Sequence, residues 1–150
     1  MLRRGSGIRM KTDDDRPVLL DTHYWVWQQF GVRQNSSSAT WKVIEDAAAS
    51  GALLLSVISI WEVGLLDSKG RLELFQPCEQ WVHEALATPG LTLIPLTPEI
   101  AIHSTRLPGS FHPDAADRII AATARITGAR LATCDRAMIA YARQRHITVC

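Results

Sequence analysis

The sequence has no long hydrophobic run and few cysteines. Its longest nearly apolar stretch, Ala52 to Trp61, is about half the length that a membrane-spanning helix needs. No basic segment followed by an apolar one opens the chain, so no secretory signal is expected. The three cysteines, at positions 78, 134 and 150, are scattered and show no CxxC spacing, which argues against a disulfide framework and a zinc site. We therefore expect a cytoplasmic protein without a membrane segment.

The sequence also lacks a broad excess of positive charge. Its formal net charge is +1, and the basic excess lies within residues 1–16. Without a basic face over the rest of the chain, no footprint for duplex nucleic acid is indicated. Most basic residues are arginines, which recognise phosphate through a bidentate fork. We interpret most of the six arginines after position 117 as solvated helix faces.

The length and composition fit one globular domain. The chain has 150 residues, of which 47% are hydrophobic and 21% are charged. Residues 1–16 are polar, charged and aperiodic, so we predict a disordered tail there, with Met10 as an alternative start to Met1. The folded domain is expected to cover residues 17–150.

Short apolar runs alternate with helical patterns from residue 17 onwards. Strands are predicted at 18–20, 53–56, 91–94, 130–133 and 147–149. Helices are predicted at 22–30, 36–49, 59–69, 79–87, 98–106, 114–127 and 136–145, with Ser59 as the cap of the third. This alternation predicts an α/β fold with a parallel sheet of about five strands and helices on both faces.

Acidic residues stand at or near the ends of several apolar runs. Asp21 follows the first strand and Asp135 follows the fourth closely. Glu62 lies on the helix after the second strand, and Asp117 lies in the first turn of an alanine-rich helix. Because the carboxyl ends of neighbouring parallel strands converge on one crevice, we expect these four side chains to form one site.

Four carboxylates in one place need a cation. Two carboxylates about 4 Å apart repel by roughly 4 kcal/mol at an effective dielectric near 20. Several such pairs would threaten a domain that is stable by only about 5–15 kcal/mol, so either some acids are protonated or a cation neutralises them. Oxygen ligands favour Mg²⁺ or Mn²⁺. Such an ion activates water and stabilises charge on a phosphoryl group, so phosphodiester hydrolysis is the predicted chemistry.

Each acid also has a purely structural interpretation. Asp21 and Asp135 can cap the helices that follow them. Asp114 and Asp117 lie in a first helical turn, where the dipole favours acids, and capping is the better interpretation for Asp114. Asp117 can also pair with the adjacent Arg118. The joint placement of the acids at strand ends, rather than any one of them, indicates function.

Histidines and aromatic residues give weaker indications. His23 follows Asp21 closely and is expected to line the pocket. His112 lies in the loop before the 114–127 helix, where we expect it to order the loop rather than to take part in catalysis. Trp25, Trp27 and Phe30 crowd the first helix and cannot all face inward. An exposed aromatic stripe there would mark a partner site.

The combined pattern resembles the PIN-domain ribonucleases, specifically the toxin component of VapBC-type toxin–antitoxin pairs. The matching segments are VLLDTH at 18–23, SVISIWE at 56–62, HPDAADRIIAATA at 112–124 and LATCD at 131–135. Many relatives have DPFDR where this chain has DAADR at 114–118. The difference changes packing at the helix start and leaves the number of acids unchanged.

The resemblance implies a metal-dependent endoribonuclease on a single PIN-like domain. The acids that would hold Mg²⁺ or Mn²⁺ are Asp21, Glu62, Asp117 and Asp135. The supporting residues would be Thr133, Thr22, Asp114 and Arg118. The resemblance also implies an RNA substrate, a homodimer, and a hetero-oligomer with a cognate antitoxin that fills a groove beside the site.

The antitoxin groove is expected along the first and third helices. Trp25, Trp27, Leu65 and Leu66 would flank it and suit an amphipathic helix. An arginine of that partner is expected to enter the acidic pocket and replace the metal by charge compensation.

Two other functions compete with the nuclease. One is a non-catalytic binding module on the same fold, which the complete set of four acids disfavours. The other is a Mg²⁺-dependent phosphatase of the haloacid dehalogenase type. That chemistry requires a second aspartate two residues after Asp21, and position 23 is histidine.

Overall fold

In the part of the chain that the structure describes, five parallel strands form one central sheet. The computed structural model describes residues 15–33 and 36–150, so residues 1–14 of the predicted tail lie outside the described part. The strands are β1 (Val18–Leu20), β2 (Leu53–Ser56), β3 (Leu91–Ile94), β4 (Arg130–Ala132) and β5 (Thr148–Val149). Their order is β3-β2-β1-β4-β5, and every neighbouring pair is parallel. The predicted α/β fold is confirmed.

Helices connect the strands and cover both faces of the sheet. They are α1 (Thr22–Phe30), α2 (Ser38–Ala49), α3 (Val57–Ser68), α4 (Cys78–Leu86), α5 (Pro98–Ser104), α6 (Ala115–Thr127) and α7 (Arg136–Arg143). Several begin at the expected caps: the hydroxyl of Ser37 accepts a hydrogen bond from the amide of Thr40, and that of Thr97 accepts from Ile100. Among the described residues, no helix combines the length and the apolar character needed to cross a membrane.

Side chains of the strands alternate between two separate hydrophobic cores. Val18 and Leu20 pack into a core rich in tryptophan, which α1, α2 and α4 cover. Leu19 points the other way and packs with Ile120 and Met138 from α6 and α7. All three residues of β1 are fully buried because both faces of this central strand are covered, which explains its continuous apolar sequence.

The strand order places a crevice beside β1. Strands β2 and β3 lie on one side of β1, and the later strands β4 and β5 lie on its other side. Leu20 at the end of β1 is therefore in register with Leu55 of β2 and with Ala132 of β4. Reversal of strand order at β1 creates a topological switch point, where helices leave the sheet in opposite directions and open a crevice at the carboxyl ends.

The start of α3 differs from the prediction. Ser59 was expected to cap this helix, but the helix begins at Val57, and the hydroxyl of Ser56 accepts a hydrogen bond from the amide of Ile58 at 3.2 Å. Strand β2 therefore runs directly into α3 without a loop. The predicted cap at Ser59 was wrong, because that residue lies fully buried in the first turns of the helix.

A tight turn before β3 requires glycine. Gly90 has a φ of 81°, and a Cβ there would lie 1.9 Å from the carbonyl oxygen of Ala48 at the end of α2. Gly128 also has a positive φ, 68°, but a Cβ there meets no described atom within 4 Å.

We expect Gly128→Ala to lower the free energy of unfolding by about 1–2 kcal/mol, the cost of the left-handed conformation. Gly90→Ala is expected to cost about 1–3 kcal/mol more, because the backbone of α2 must shift. Urea denaturation of both variants measures the difference, and equal losses would contradict the close approach.

Candidate metal centre

Asp21 lies at the mouth of the crevice, immediately after β1. It is only 5% exposed and caps α1. One of its carboxylate oxygens accepts a hydrogen bond from the amide of Thr22 at 2.8 Å, and the other accepts from the hydroxyl of Thr133 at 2.6 Å. Both oxygens are thus fixed, and Thr133 ties the end of β1 to the segment that follows β4.

Glu62 reaches the same place from α3. Its Oε1 accepts a hydrogen bond from the hydroxyl of Thr22 at 2.7 Å, and that hydroxyl lies 2.8 Å from the hydroxyl of Ser59. Thr22, Ser59 and Glu62 therefore connect α1 with α3 beside Asp21. The sequence did not identify Ser59 as a site residue. Its spacing of three from Glu62, which puts both on one helical face, was the available indication.

Asp117 and a histidine come from the other side of the crevice. Asp114 caps α6 by accepting a hydrogen bond from the amide of Asp117 at 3.0 Å, so Asp117 takes part in the cap through its backbone and in the crevice through its carboxylate. Nε2 of His112 lies 3.1 Å from Oδ2 of Asp117. One ligand atom each from His112, Asp117 and Asp135 lies within 4.8 Å of the others, a spacing at which three groups can share one ion.

Asp135 is both a helix cap and a member of this cluster. Its Oδ1 accepts hydrogen bonds from the amides of Ala137 and Met138 at 2.9 and 3.0 Å. Its own amide donates to the hydroxyl of Thr133 at 3.0 Å. The capping and the metal-site interpretations of Asp135 are therefore compatible, because the cap uses only one carboxylate oxygen.

Arg118 organises the loop before α6. Its guanidinium donates hydrogen bonds to the carbonyl oxygens of Ser104, Phe111 and His112 at 2.8, 3.3 and 3.3 Å. Within the described residues it makes no ion pair with Asp117, so the proposed pairing of these neighbours was wrong. The arginine instead holds the loop that carries His112. The sequence indicated that His112 orders this loop. In the structure Arg118 holds the loop, and the His112 ring lies beside Asp117 and Asp135.

Burial is the main influence on the pKa values of three of the acids, and the charges of neighbouring acids act in the same direction. Burial, together with the charges of Asp114, Asp21, Asp135 and Glu62, raises the pKa of Asp117 to about 7. Burial also raises the pKa of Asp21 and of Glu62, while hydrogen bonds from Thr133 and Thr22 partly offset the increase. The structure thus brings together all four predicted acids. In full ionisation they require a positive charge, and their oxygen atoms match the ligands preferred by Mg²⁺ and Mn²⁺.

The aromatic face of α1 differs in part from the expected groove. Trp25 is fully buried and packs against Trp81 with ring centroids 5.1 Å apart. Its predicted position in the groove was wrong, because Trp25 lies on the face of α1 that is turned toward the sheet. Trp27, Leu65 and Leu66 are half-buried. Trp61, on α3, is 56% exposed and was not identified from the sequence.

Known proteins resemble this chain over most of its length. The family model described as PIN domain matches residues 18–144. Ribonuclease VapC22 from Mycobacterium tuberculosis is 34% identical over 132 residues, which cover 88% of this chain and 97% of that protein.

Two solved structures have a similar fold. One is VapBC2 from Rickettsia felis bound to a DNA fragment from its promoter, with a TM-score of 0.63 at 17% identity. The superposition covers 88% of this chain and 96% of that chain. FitAcB from Neisseria gonorrhoeae has a TM-score of 0.58 at 22% identity, with coverages of 88% and 95%. At these identities the two structures show the fold alone.

Proposed function

Because this chain belongs to the PIN domain family, we propose that it is a metal-dependent endoribonuclease and the toxin of a toxin–antitoxin pair. The observation that carries the proposal is the convergence of four acids, distant in sequence, on the crevice beside β1. The similarity to a protein named ribonuclease VapC22 supports RNA as the substrate. Such a toxin would act in the cytoplasm.

The acids would hold the metal ion. We assign this role to Asp21, Glu62, Asp117 and Asp135, with His112 beside them. When bound, Mg²⁺ or Mn²⁺ supplies a water of lowered pKa and stabilises charge on the phosphoryl group. Thr133 and Thr22 fix the oxygen atoms of Asp21 and Glu62 by hydrogen bonds, so these acids are held in place before substrate binds. Asp114 and Arg118 support the site by starting α6 and by holding its preceding loop.

Cleavage of RNA by the purified protein tests the proposal. We expect a structured RNA to be cut with Mg²⁺ or Mn²⁺, and cutting to stop with EDTA or in Asp21→Asn. Asp67→Asn is the matched control, because Asp67 is a half-buried acid on α3 outside the cluster. The proposal fails if no cleavage occurs, or if cleavage survives both EDTA and Asp21→Asn.

Thr133→Val tests the support of the acids. The change keeps the shape of the side chain but removes the hydrogen bond to Asp21 and the acceptor for the Asp135 amide. We expect about a 10- to 100-fold loss of activity, as for other residues that orient metal ligands. Thr133→Ser should restore most of it. Thr123→Val is the control, because Thr123 is a buried threonine whose hydroxyl donates to Ile119 within α6; an equal loss there would contradict a specific role of Thr133.

An apolar surface along α1 and α3 is the site that we propose for an antitoxin. Half-buried Trp27, Leu65 and Leu66, together with exposed Trp61, provide an apolar surface for an amphipathic helix of an antitoxin. An arginine from that helix would enter the acidic crevice. The similarity in fold to VapBC2 supports this partner, and we also propose a homodimer. A small protein encoded beside this chain should co-purify with it and inhibit it; full activity at a stoichiometric ratio would remove the proposal.

A further inference from the structure

Two aromatic side chains share a cavity with two of the acids. The cavity has a volume of about 260 Å³, and its walls are Asp21, His23, Trp27, Cys134 and Asp135. His23 and Trp27 lie one helical turn apart on α1, with ring centroids 5.9 Å apart and planes inclined at 49°. The two rings therefore line the same pocket as two carboxylates of the proposed active site.

The Trp27 ring is held in place by the residues behind it. The buried ring of Tyr24 contacts it edge-on, with centroids 5.3 Å apart and an interplanar angle of 65°. Tyr24 packs in turn against Trp41, and its hydroxyl contacts Ser36 and Cys134. Trp27 is half-buried by this packing and presents the rest of its ring to the cavity, while His23 is exposed. Little side-chain freedom of Trp27 remains to be lost when a flat group binds.

The chemistry of the cavity suits one nucleobase. Nucleobases stack on aromatic rings, and this contact is tolerant of sequence because every base has a flat face. The volume is slightly below the approximately 300 Å³ at which pockets for drug-sized ligands begin, so it accommodates a group smaller than these. Since Asp21 and Asp135 line the same cavity, a base stacked there would belong to a nucleotide close to the reacting phosphate.

From this juxtaposition we propose that His23 and Trp27 form a base-stacking site for an unpaired nucleotide adjoining the phosphate that is cut. The proposal rests on the ribonuclease function and assigns to it two side chains that would hold a nucleotide beside the reacting phosphate. Bases inside a duplex are already stacked on their neighbours and cannot enter the cavity, whereas bases of loops and single strands are free to do so.

Binding of RNA to an uncleaving variant tests the site directly. In Asp117→Asn, a short single-stranded RNA carries 2-aminopurine at successive positions, because the fluorescence of this base falls when it stacks. We expect quenching at one position, and Trp27→Ala added to this variant should remove it and weaken binding about 5- to 100-fold. Trp27→Phe should retain most of the binding. Phe75→Ala is the control, because Phe75 is 82% exposed and lies outside the cavity.

The remaining outcomes separate this inference from the ribonuclease proposal. In the cleaving protein, Trp27→Ala should raise KM for single-stranded RNA with a much smaller change in kcat. His23→Ala, at an exposed position that does not endanger folding, should weaken binding about fivefold. If wild-type protein cuts RNA but both variants bind it unchanged, the stacking site is overturned and the nuclease stands. If Trp27→Ala and His23→Ala weaken the binding of a protein partner but leave RNA binding unchanged, the two residues belong to a protein-binding surface. The inference is then also overturned.

Discussion

Asp117→Asn is expected to lower the rate of RNA cleavage by at least about 100-fold. Asp117 offers one of the three ligand atoms that lie within 4.8 Å of one another, and an asparagine keeps the shape but removes the charge. Loss of a residue that only orients a ligand costs about 10- to 100-fold, so loss of a ligand itself should cost no less than the upper end. Single-turnover cleavage at saturating Mg²⁺ measures the effect.

Asp114→Asn provides the matched control for this variant. Asp114 lies in the same turn but accepts the amide hydrogen bond that starts α6, and asparagine caps helices as well as aspartate does. We expect a loss below about tenfold. If the two variants lose activity equally, the charge of Asp117 has no special role and the assignment of Asp117 to the metal site fails.

The stability of the metal-free protein is expected to fall as the pH rises from about 4 to 8. Burial and the neighbouring acids raise the pKa of Asp117 to about 7, so the folded protein binds this proton more tightly than the unfolded chain does. The resulting stabilisation is complete below the ordinary aspartate pKa near 3.9 and is lost as the pH passes through 7. At about 1.4 kcal/mol per pH unit the upper limit is about 4 kcal/mol, and partial exposure of the side chain reduces it to about 2–3 kcal/mol.

Urea denaturation in EDTA at pH 5 and pH 8 tests this expectation. Asp117→Asn should be more stable than the wild type at pH 8, with a clearly smaller difference at pH 5, because asparagine removes the buried charge and its repulsion without a proton. Saturating Mg²⁺ should raise the stability of the wild type at pH 8 and have little effect on the variant. A variant that is less stable than wild type at pH 8 in EDTA would contradict the electrostatic account.

The sequence predicted the sheet because apolar runs and helical patterns alternate along the chain. It also predicted that Asp21, Glu62, Asp117 and Asp135 meet, since residues after parallel strands share one edge of the sheet. It did not predict the strand order, which depends on pairing between distant segments. The start of α3 was misplaced because Ser56 and Ser59 are equally good caps by type, and only the direct passage from β2 into the helix distinguishes them.

The remaining differences come from contacts that no local pattern reveals. Trp25 and Trp27 look alike in sequence, and the rotation of α1 on the sheet determines that Trp25 is fully buried while Trp27 is only half-buried. His112 lies in the site because the Arg118 side chain binds the carbonyl groups of its loop. That conformation depends on the packing of α6 against α5, which is a property of the folded protein.

The hydrogen bond between Thr133 and Asp21 has a consequence for synthesis, because it joins residues 112 positions apart. Ribosomes make the amino-terminal residue of such a pair first, and at about 5–20 residues per second its partner follows on the order of ten seconds later. Until β4 has emerged and docked beside β1, the nascent polypeptide has neither Thr133 nor Asp135 in position. A translating cell would therefore encounter the assembled site of the proposed nuclease only after β4 has docked, and termination before β4 would release a fragment without Thr133 and Asp135.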